Sequence, residues 1–219
     1  MSSAPAPAVV EPRRRLRAEA RQSEIVRVAL ELAAVRGVEK TTTQAMADAM
    51  DLTQGAVFRH FPTKDAIWLA VMEWVRAELG RVVGEAIAAS ADPFDALERV
   101  LLAHVGFVAR HPGIPRLLFA ELEDARDTRL KQLIQQVMSG YERRIAGLVA
   151  EAKARRLADP GIDEATAATL FLGLVQGLVM QASVFGDRRP MLAQARKVFP
   201  LFLAAIRNGG VEKRGTPAR

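Results

Sequence analysis

An all-α fold is predicted for this chain of 219 residues: three N-terminal helices carrying a helix-turn-helix, then a larger helical body. Three observations lead there. Hydrophobic residues make up 50% of the chain but aromatics only 5%, so the core must be built largely from Ala, Leu and Val, a composition that favours helices. No stretch sustains the period-two alternation of a half-buried strand, whereas apolar spacings of three and four recur. Residues 41–67, TTTQAMADAMDLTQGAVFRHFPTKDAI, read as two short helices joined by a sharp turn and followed by a basic entry into a third.

Residues 1–18 are expected to be disordered and without a signal-peptide core. Arg13, Arg14, Arg15 and Arg17 form a basic run there, either a solvated tail or an arm for a minor groove. Helix one is expected from about Ala18 to Arg36. Its apolar positions Ile25, Val28, Ala29, Leu32 and Ala33 recur at three and four, and Gly37 supplies its C-cap. A DNA-binding domain is thus expected over 19–66, with its helix-turn-helix at about 42–61.

Within the reader, Thr42 or Thr43 can cap the first short helix and Thr53 the second. Met46, Ala49 and Leu52 form the predicted buried stripe, and Ala47 is small where the two helices cross. Asp51-Leu52 makes the corner. The second helix, roughly Gln54 to His60, is too short to stand alone in water, so neighbours must hold one face and leave the other free. That free face carries Gln54, Gly55, Arg59 and the rim of Ala56. Gln suits adenine, Arg suits guanine, and an Ala methyl suits a thymine methyl. Phe61-Pro62 stops the helix. Thr63 caps the next one, where Lys64 beside free backbone N–H groups reads as a phosphate clamp.

Charge follows the same division. Residues 13–64 hold ten Lys/Arg against six Asp/Glu, whereas residues 65–210 hold eighteen against seventeen, so the positive field sits on the reader. The body is expected over 67–209. One helix runs to about Ala89, and another opens at Asp92-Pro93 and ends near His111-Pro112-Gly113. A short segment covers about 115–121, a long helix about Thr128 to Arg156, and Asp163 caps the next after the loop 159–161. Arg189-Pro190 opens the last, giving about nine helices with a disordered tail at 210–219. Leu170, Gly173, Leu174, Gly177, Phe199 and Leu203 on the last two helices are candidates for a homodimer contact, with intrachain packing the alternative for the glycines.

The reader resembles the DNA-binding domain of the TetR family of bacterial transcriptional regulators. Paired threonines, an Ala-centred first helix, Thr-x-Gly followed by an apolar residue, the aromatic-x-His-Phe run and the Lys-Asp opening carry the likeness over residues 19–67. The resemblance implies phosphate contacts from Thr43, Thr53, the position of Phe58, His60 and Lys64. It implies base readout by Gln44, Gln54, Gly55, Ala56 and Arg59. The family most often has Tyr where Phe58 stands; lacking the hydroxyl, Phe58 is assigned a packing role. The resemblance also implies a homodimer formed by the last two helices, a palindromic double-stranded operator, and a small effector in the body. Met72, Phe107, Phe119, Met138, Tyr141 and Met180 are its candidate lining, and an effector of apolar character is expected because no buried charge stands out.

Catalysis finds no support. The chain has no cysteine, no Gly-rich phosphate loop and no HExxH. Neither a cofactor nor a metal is expected, His104 and His111 being the weak exception. Glu121, Glu123 and Asp124 read as a solvated face or as partners for Arg116 and Arg126. No stretch approaches a membrane span, Ala165 to Phe185 carrying Gln176 and Gln181, and a cytoplasmic location is expected. The functional expectation is a repressor released from DNA by a small molecule, with an architectural DNA binder as the alternative.

Overall fold

The structure, a computed structural model, describes residues 10–207, with side chains from residue 15 onward. Among the described residues nine helices follow one another: α1 (Val10–Arg36), α2 (Thr43–Asp48), α3 (Gln54–Phe58), α4 (Lys64–Ala88), α5 (Pro93–Arg110), α6 (Gly113–Glu123), α7 (Arg129–Ala154), α8 (Glu164–Phe185) and α9 (Met191–Ile206). The all-α expectation holds. Helix α1 reaches back to Val10, so the basic run 13–17 lies on helical backbone and not in a disordered arm. The tail 210–219 lies outside the described residues.

The chain forms two compact units, and the sequence placed their boundary differently. The first runs to Trp74 and also takes in Pro112–Leu130; the second comprises Val75–His111 and the residues from Lys131. Helix α6 therefore belongs with the reader. The reason is a close backbone approach: a Cβ added at Gly113 would lie 2.2 Å from the Leu30 carbonyl oxygen of α1. Only glycine permits that contact. It also explains why α1 buries Val26 and Leu30 as well as Ile25, Val28, Ala29 and Ala33. Both α2 and α6 pack against this helix.

Helix ends follow their local chemistry. Gly37, at φ +84, ends α1 in the left-handed conformation. Asp92 accepts from the Phe94 and Asp95 amides ahead of Pro93, and Asp163 accepts from Thr166. Arg156 at φ 60 closes α7, with the Leu157 amide donating to the Ala152 carbonyl at 2.9 Å. An arginine there is a conformation the sequence did not announce.

In the second unit α5, α8 and α9 pack together around Phe107, Phe171, Phe199 and Phe202, all nearly inaccessible. His104 of α5 and Tyr141 of α7 share a hydrogen bond at 3.0 Å, their rings meeting edge to face. Burial pushes the imidazole pKa down from 6.5 to about 4 and pushes the Tyr141 phenol up. Both are neutral at physiological pH, so the pair brings polarity without charge into an apolar interior.

Two outcomes are expected. Gly113→Ala forces backbone against backbone and should lower the urea midpoint by an amount equivalent to about 1–3 kcal/mol; an unchanged midpoint would refute the close approach. For His104 the folded pKa lies below the unfolded value, so the unfolded chain binds the proton more readily between pH 6.5 and about 4. Its contribution is complete above 6.5 and is lost as pH falls through that window, by roughly 3 kcal/mol at most. Thermal melts across the window should show this slope in the parent and a flatter one in His104→Gln.

Candidate nucleic-acid interface

Helix α3 has five residues and no stability of its own, so the geometry of the reader is that of its braces. The three consecutive threonines hold three different positions. Thr41 is fully buried and its hydroxyl donates to the Gly37 carbonyl at 2.7 Å, closing the loop after α1. Thr42 is the N-cap of α2, its oxygen accepting from the Ala45 amide at 3.0 Å. Thr43 is buried, and its hydroxyl accepts from the Gln54 side-chain amide at 2.7 Å, tying α2 to α3.

The corner between α2 and α3 is a Schellman closure. Asp51 takes φ 53, and the Leu52 amide donates to the Ala47 carbonyl at 2.9 Å. Aspartate tolerates this region better than most residues other than glycine. Ala47 and Met46 are fully buried at the crossing and Leu52 is half-buried. Ala49, expected in the same stripe, is exposed, because the chain leaves the helix there. Thr53 caps α3 by accepting from the Ala56 amide at 3.2 Å, and Thr63 accepts from the Ala66 amide at 3.1 Å in the first turn of α4.

Val57 and Phe61 anchor the inner side. The outer side presents Thr53, Gln54, Gly55, Phe58 and Arg59, with Ala56 and His60 half-buried. A Cβ on Gly55 would meet nothing within 4 Å, so nothing inside the protein requires glycine there. Phe58 is 41% exposed and lies on the outer face, whereas Val57 and Phe61 are buried on the inner one. Gln44 is exposed and donates to Asp48 at 2.6 Å. Both glutamines thus rest on intramolecular partners, while Arg59 stands exposed.

Lys64 is half-buried and its ammonium donates to the carbonyls of Val38 at 3.1 Å and Glu39 at 3.3 Å. Burial lowers its pKa, and Asp65 and Glu39 oppose that shift. The lysine therefore braces the loop between α1 and α2, a role that its position at a helix start did not reveal. Gln22 of α1 reaches the His60 carbonyl at 3.4 Å, holding the far end of the reader.

The other candidate residues divide between the units. Met72 and Phe119 belong to the first; Phe107, Met138, Tyr141 and Met180 belong to the second. Met180 is exposed and lies in line with Leu170, Gly173, Gly177 and Val184, all outward on α8 at alternating steps of three and four. It belongs to this stripe and not to an interior lining. A Cβ on Gly173 or Gly177 meets nothing within 4 Å, so these glycines do not serve intrachain packing. Leu174 and Leu203 are half-buried, and Phe199 is buried beside Phe202 inside the protomer. On α9 the outward large apolar residues are Leu201, 73% exposed, and Leu192, 36% exposed, both of which sequence reasoning missed. The 170–184 spacing was a legible signal for Val184 and for the reassignment of Met180.

No group of His, Asp and Glu close enough to hold a metal ion occurs among the described residues. His104 faces Tyr141, and His111 packs on the Phe107 ring at 4.9 Å. In the acidic cluster, Asp124 pairs with Arg126 at 2.7 Å and Glu121 accepts from the Thr128 hydroxyl.

A family model described as "Bacterial regulatory proteins, tetR family" matches residues 25–71, and one described as "Tetracyclin repressor-like, C-terminal domain" matches residues 118–199. Among curated proteins, the chain is 26% identical over 158 residues to the nucleoid occlusion factor SlmA of Vibrio atlanticus (strain LGP32), covering 72% of this chain and 81% of that protein. Similarity to the SlmA of Marinomonas sp. (strain MWYL1) is 24% over 140 residues, 64% of this chain and 71% of that one. Among solved structures, a TetR transcriptional regulator from Chloroflexus aurantiacus superposes with a TM-score of 0.74 at 21% identity, covering 87% and 98% of the two chains. The regulator FadR from Bacillus subtilis, solved with stearoyl-CoA, gives a TM-score of 0.72 at 18% identity, covering 87% and 99%.

Proposed function

Since the chain belongs to the TetR family of bacterial transcriptional regulators, we propose that it acts as a homodimeric repressor released from a palindromic operator by a small, largely apolar effector. The observation that carries this reading is one short reader accompanied by one uncovered apolar stripe. A single α3 covers too little DNA for high specificity, and a two-fold copy doubles the contact over half-sites about one helical turn apart. The stripe of α8 provides the surface for that copy. An 18-residue stretch of this helix has a mean hydropathy of 1.6, yet only 33% of it is buried. By length and composition alone it could cross a membrane; a partner's matching helix is the cover favoured here, with glycines at 173 and 177 permitting close approach.

On DNA, Arg59 reads guanine and Gln54, leaving Thr43, reads adenine, while Gly55 lets the helix start approach the groove floor. Gln44 and Ala56 add base contacts. Thr53 and His60 lie at the backbone, Thr43 positions Gln54, and the exposed Phe58 ring packs against sugar or a thymine methyl. Lys64 contributes charge to the phosphate and holds the loop behind it.

The effector site is assigned to the second unit near Phe107, Met138 and Tyr141, where the neutral His104–Tyr141 pair offers hydrogen bonds without charge. The Bacillus subtilis neighbour was solved with stearoyl-CoA, a ligand that joins a long apolar acyl chain to a charged carrier. Coupling must pass where the chain crosses between units: within α4, before α6 and at the start of α7. The effector must bind better to the state whose two readers no longer match successive major grooves.

The relatives named nucleoid occlusion factor favour a second reading, an architectural DNA binder without an inducer. Genome-wide footprinting separates the two: one or a few palindromes at promoters are expected for the repressor, many dispersed sites for the architectural protein. On the selected site, Arg59→Ala should relax base preference and cost ~1–3 kcal/mol, whereas Lys64→Ala should weaken all sequences alike. Parent-like binding by both variants would remove the reader assignment. Gly177→Trp should sediment as a helical monomer, with its circular dichroism retained and its operator binding weakened; a persisting dimer would exclude this interface.

A further inference from the structure

The first unit contains a half-open cleft of about 660 Å³, within the usual range for small-molecule sites. Its walls come from the loop after α1, the first turns of α4, α6 and the link into α7. Trp68, Leu117 and Leu130 contribute buried apolar surface, and five of the lining side chains are carboxylates against three cations. Two of those cations are engaged already, Lys64 by the Val38 and Glu39 carbonyls and Arg126 by Asp124. Arg129 is the third, and neutral carbonyls do not cancel the Lys64 charge, so five carboxylates against three cations leave the cleft with two negative charges in excess, Glu39 and Asp65 acting on the Lys64 ammonium.

One further feature is independent of charge. Trp68 is 4% exposed, and its indole Nε1–H is the buried side-chain polar atom among the described residues that has no hydrogen-bond partner. A buried donor left unmet is destabilising, so a polar acceptor arriving at the cleft is favoured. The carboxylates are not arranged to hold a metal ion. An organic cation, larger and with an apolar body, matches walls that are apolar within and acidic outside.

We infer that this cleft is a second small-molecule site, separate from the effector site of the body, for an organic amine bearing an apolar body and a hydroxyl or carbonyl oxygen. The ammonium lies among Glu39, Asp65 and Glu123, the body covers Leu117 and Leu130, and the oxygen accepts from Trp68. Lys64 borders the same cleft and braces the reader's loop, so occupancy bears directly on the DNA-binding unit.

The test uses the full chain with Trp74→Phe, which leaves Trp68 as its single tryptophan, titrated with 2-amino-1-phenylethanol and followed by fluorescence; calorimetry on the parent gives a second readout. Saturable binding is expected in both. It should weaken about tenfold with 1-phenylethanol, with mandelate, and in the Glu39→Gln/Glu123→Gln variant, each of which lacks the charge attraction. Ala120→Phe, placed in the cleft wall, should abolish binding while the melting temperature is retained. Absence of saturable heat in the parent would overturn the site, as would mandelate binding as tightly as the amine. Parent-like binding by a folded Ala120→Phe or by the double Gln variant would overturn it equally.

Discussion

Helix α3 has only five residues, and a helix that short does not persist in water. Everything in the first unit answers that constraint. The Thr43–Gln54 hydrogen bond joins α3 to α2, the Asp51 corner sets the angle between them, and Val57 and Phe61 fill the inner side. Behind this layer, Lys64 and Thr41 close the loop that leads into α2. Preorganisation of this kind lets a DNA reader meet the groove without first ordering its own backbone.

The braces do not come only from neighbours in sequence. Helix α6, more than seventy residues beyond α1's centre, packs so closely that its first residue must be glycine. The reader unit is thus assembled from two separated stretches of chain, and the chain passes between the units more than once. A change in the second unit has covalent routes into the reader through α4 and through both ends of the α6 segment. For the proposed effector, these routes would couple its site to DNA without requiring a contact pathway of side chains.

The second unit poses the opposite problem. It buries Phe107, Phe171, Phe199 and Phe202, yet α8 leaves Leu170, Met180, Val184 and Phe185 outside. That exposed apolar surface is what the proposed dimer contact would cover. The part-buried His104–Tyr141 pair is neutral because burial disfavours the charged forms of both groups.

Much of this was legible beforehand, for reasons that are local. Caps depend on a few adjacent atoms, so Gly37, Asp92, Thr53, Thr63 and Asp163 were found at their helix ends. The reader's outer face followed from the spacing of Gln54, Gly55 and Arg59. Phe58 was assigned a packing role because it lacks the hydroxyl of a tyrosine, and its 41% exposure places the ring on the outer face, where Val57 and Phe61 do not cover it. Phe199 was misjudged because helical spacing identifies an apolar face but not whether that face meets its own protomer or another. Arg156 in the left-handed region and Lys64 as a brace depend on carbonyl positions that no spacing encodes.

By itself, then, the sequence determined the helical class, the helix-turn-helix, the sign of its field and most helix ends, because these arise from propensities, short-range hydrogen bonds and summed charge. Tertiary structure alone decided that α6 joins the reader, that Gly173 and Gly177 face open space, and that Trp68 lines an acidic cleft with its N–H unmet. Those outcomes depend on distances between residues far apart along the chain, which packing sets and local pattern does not record.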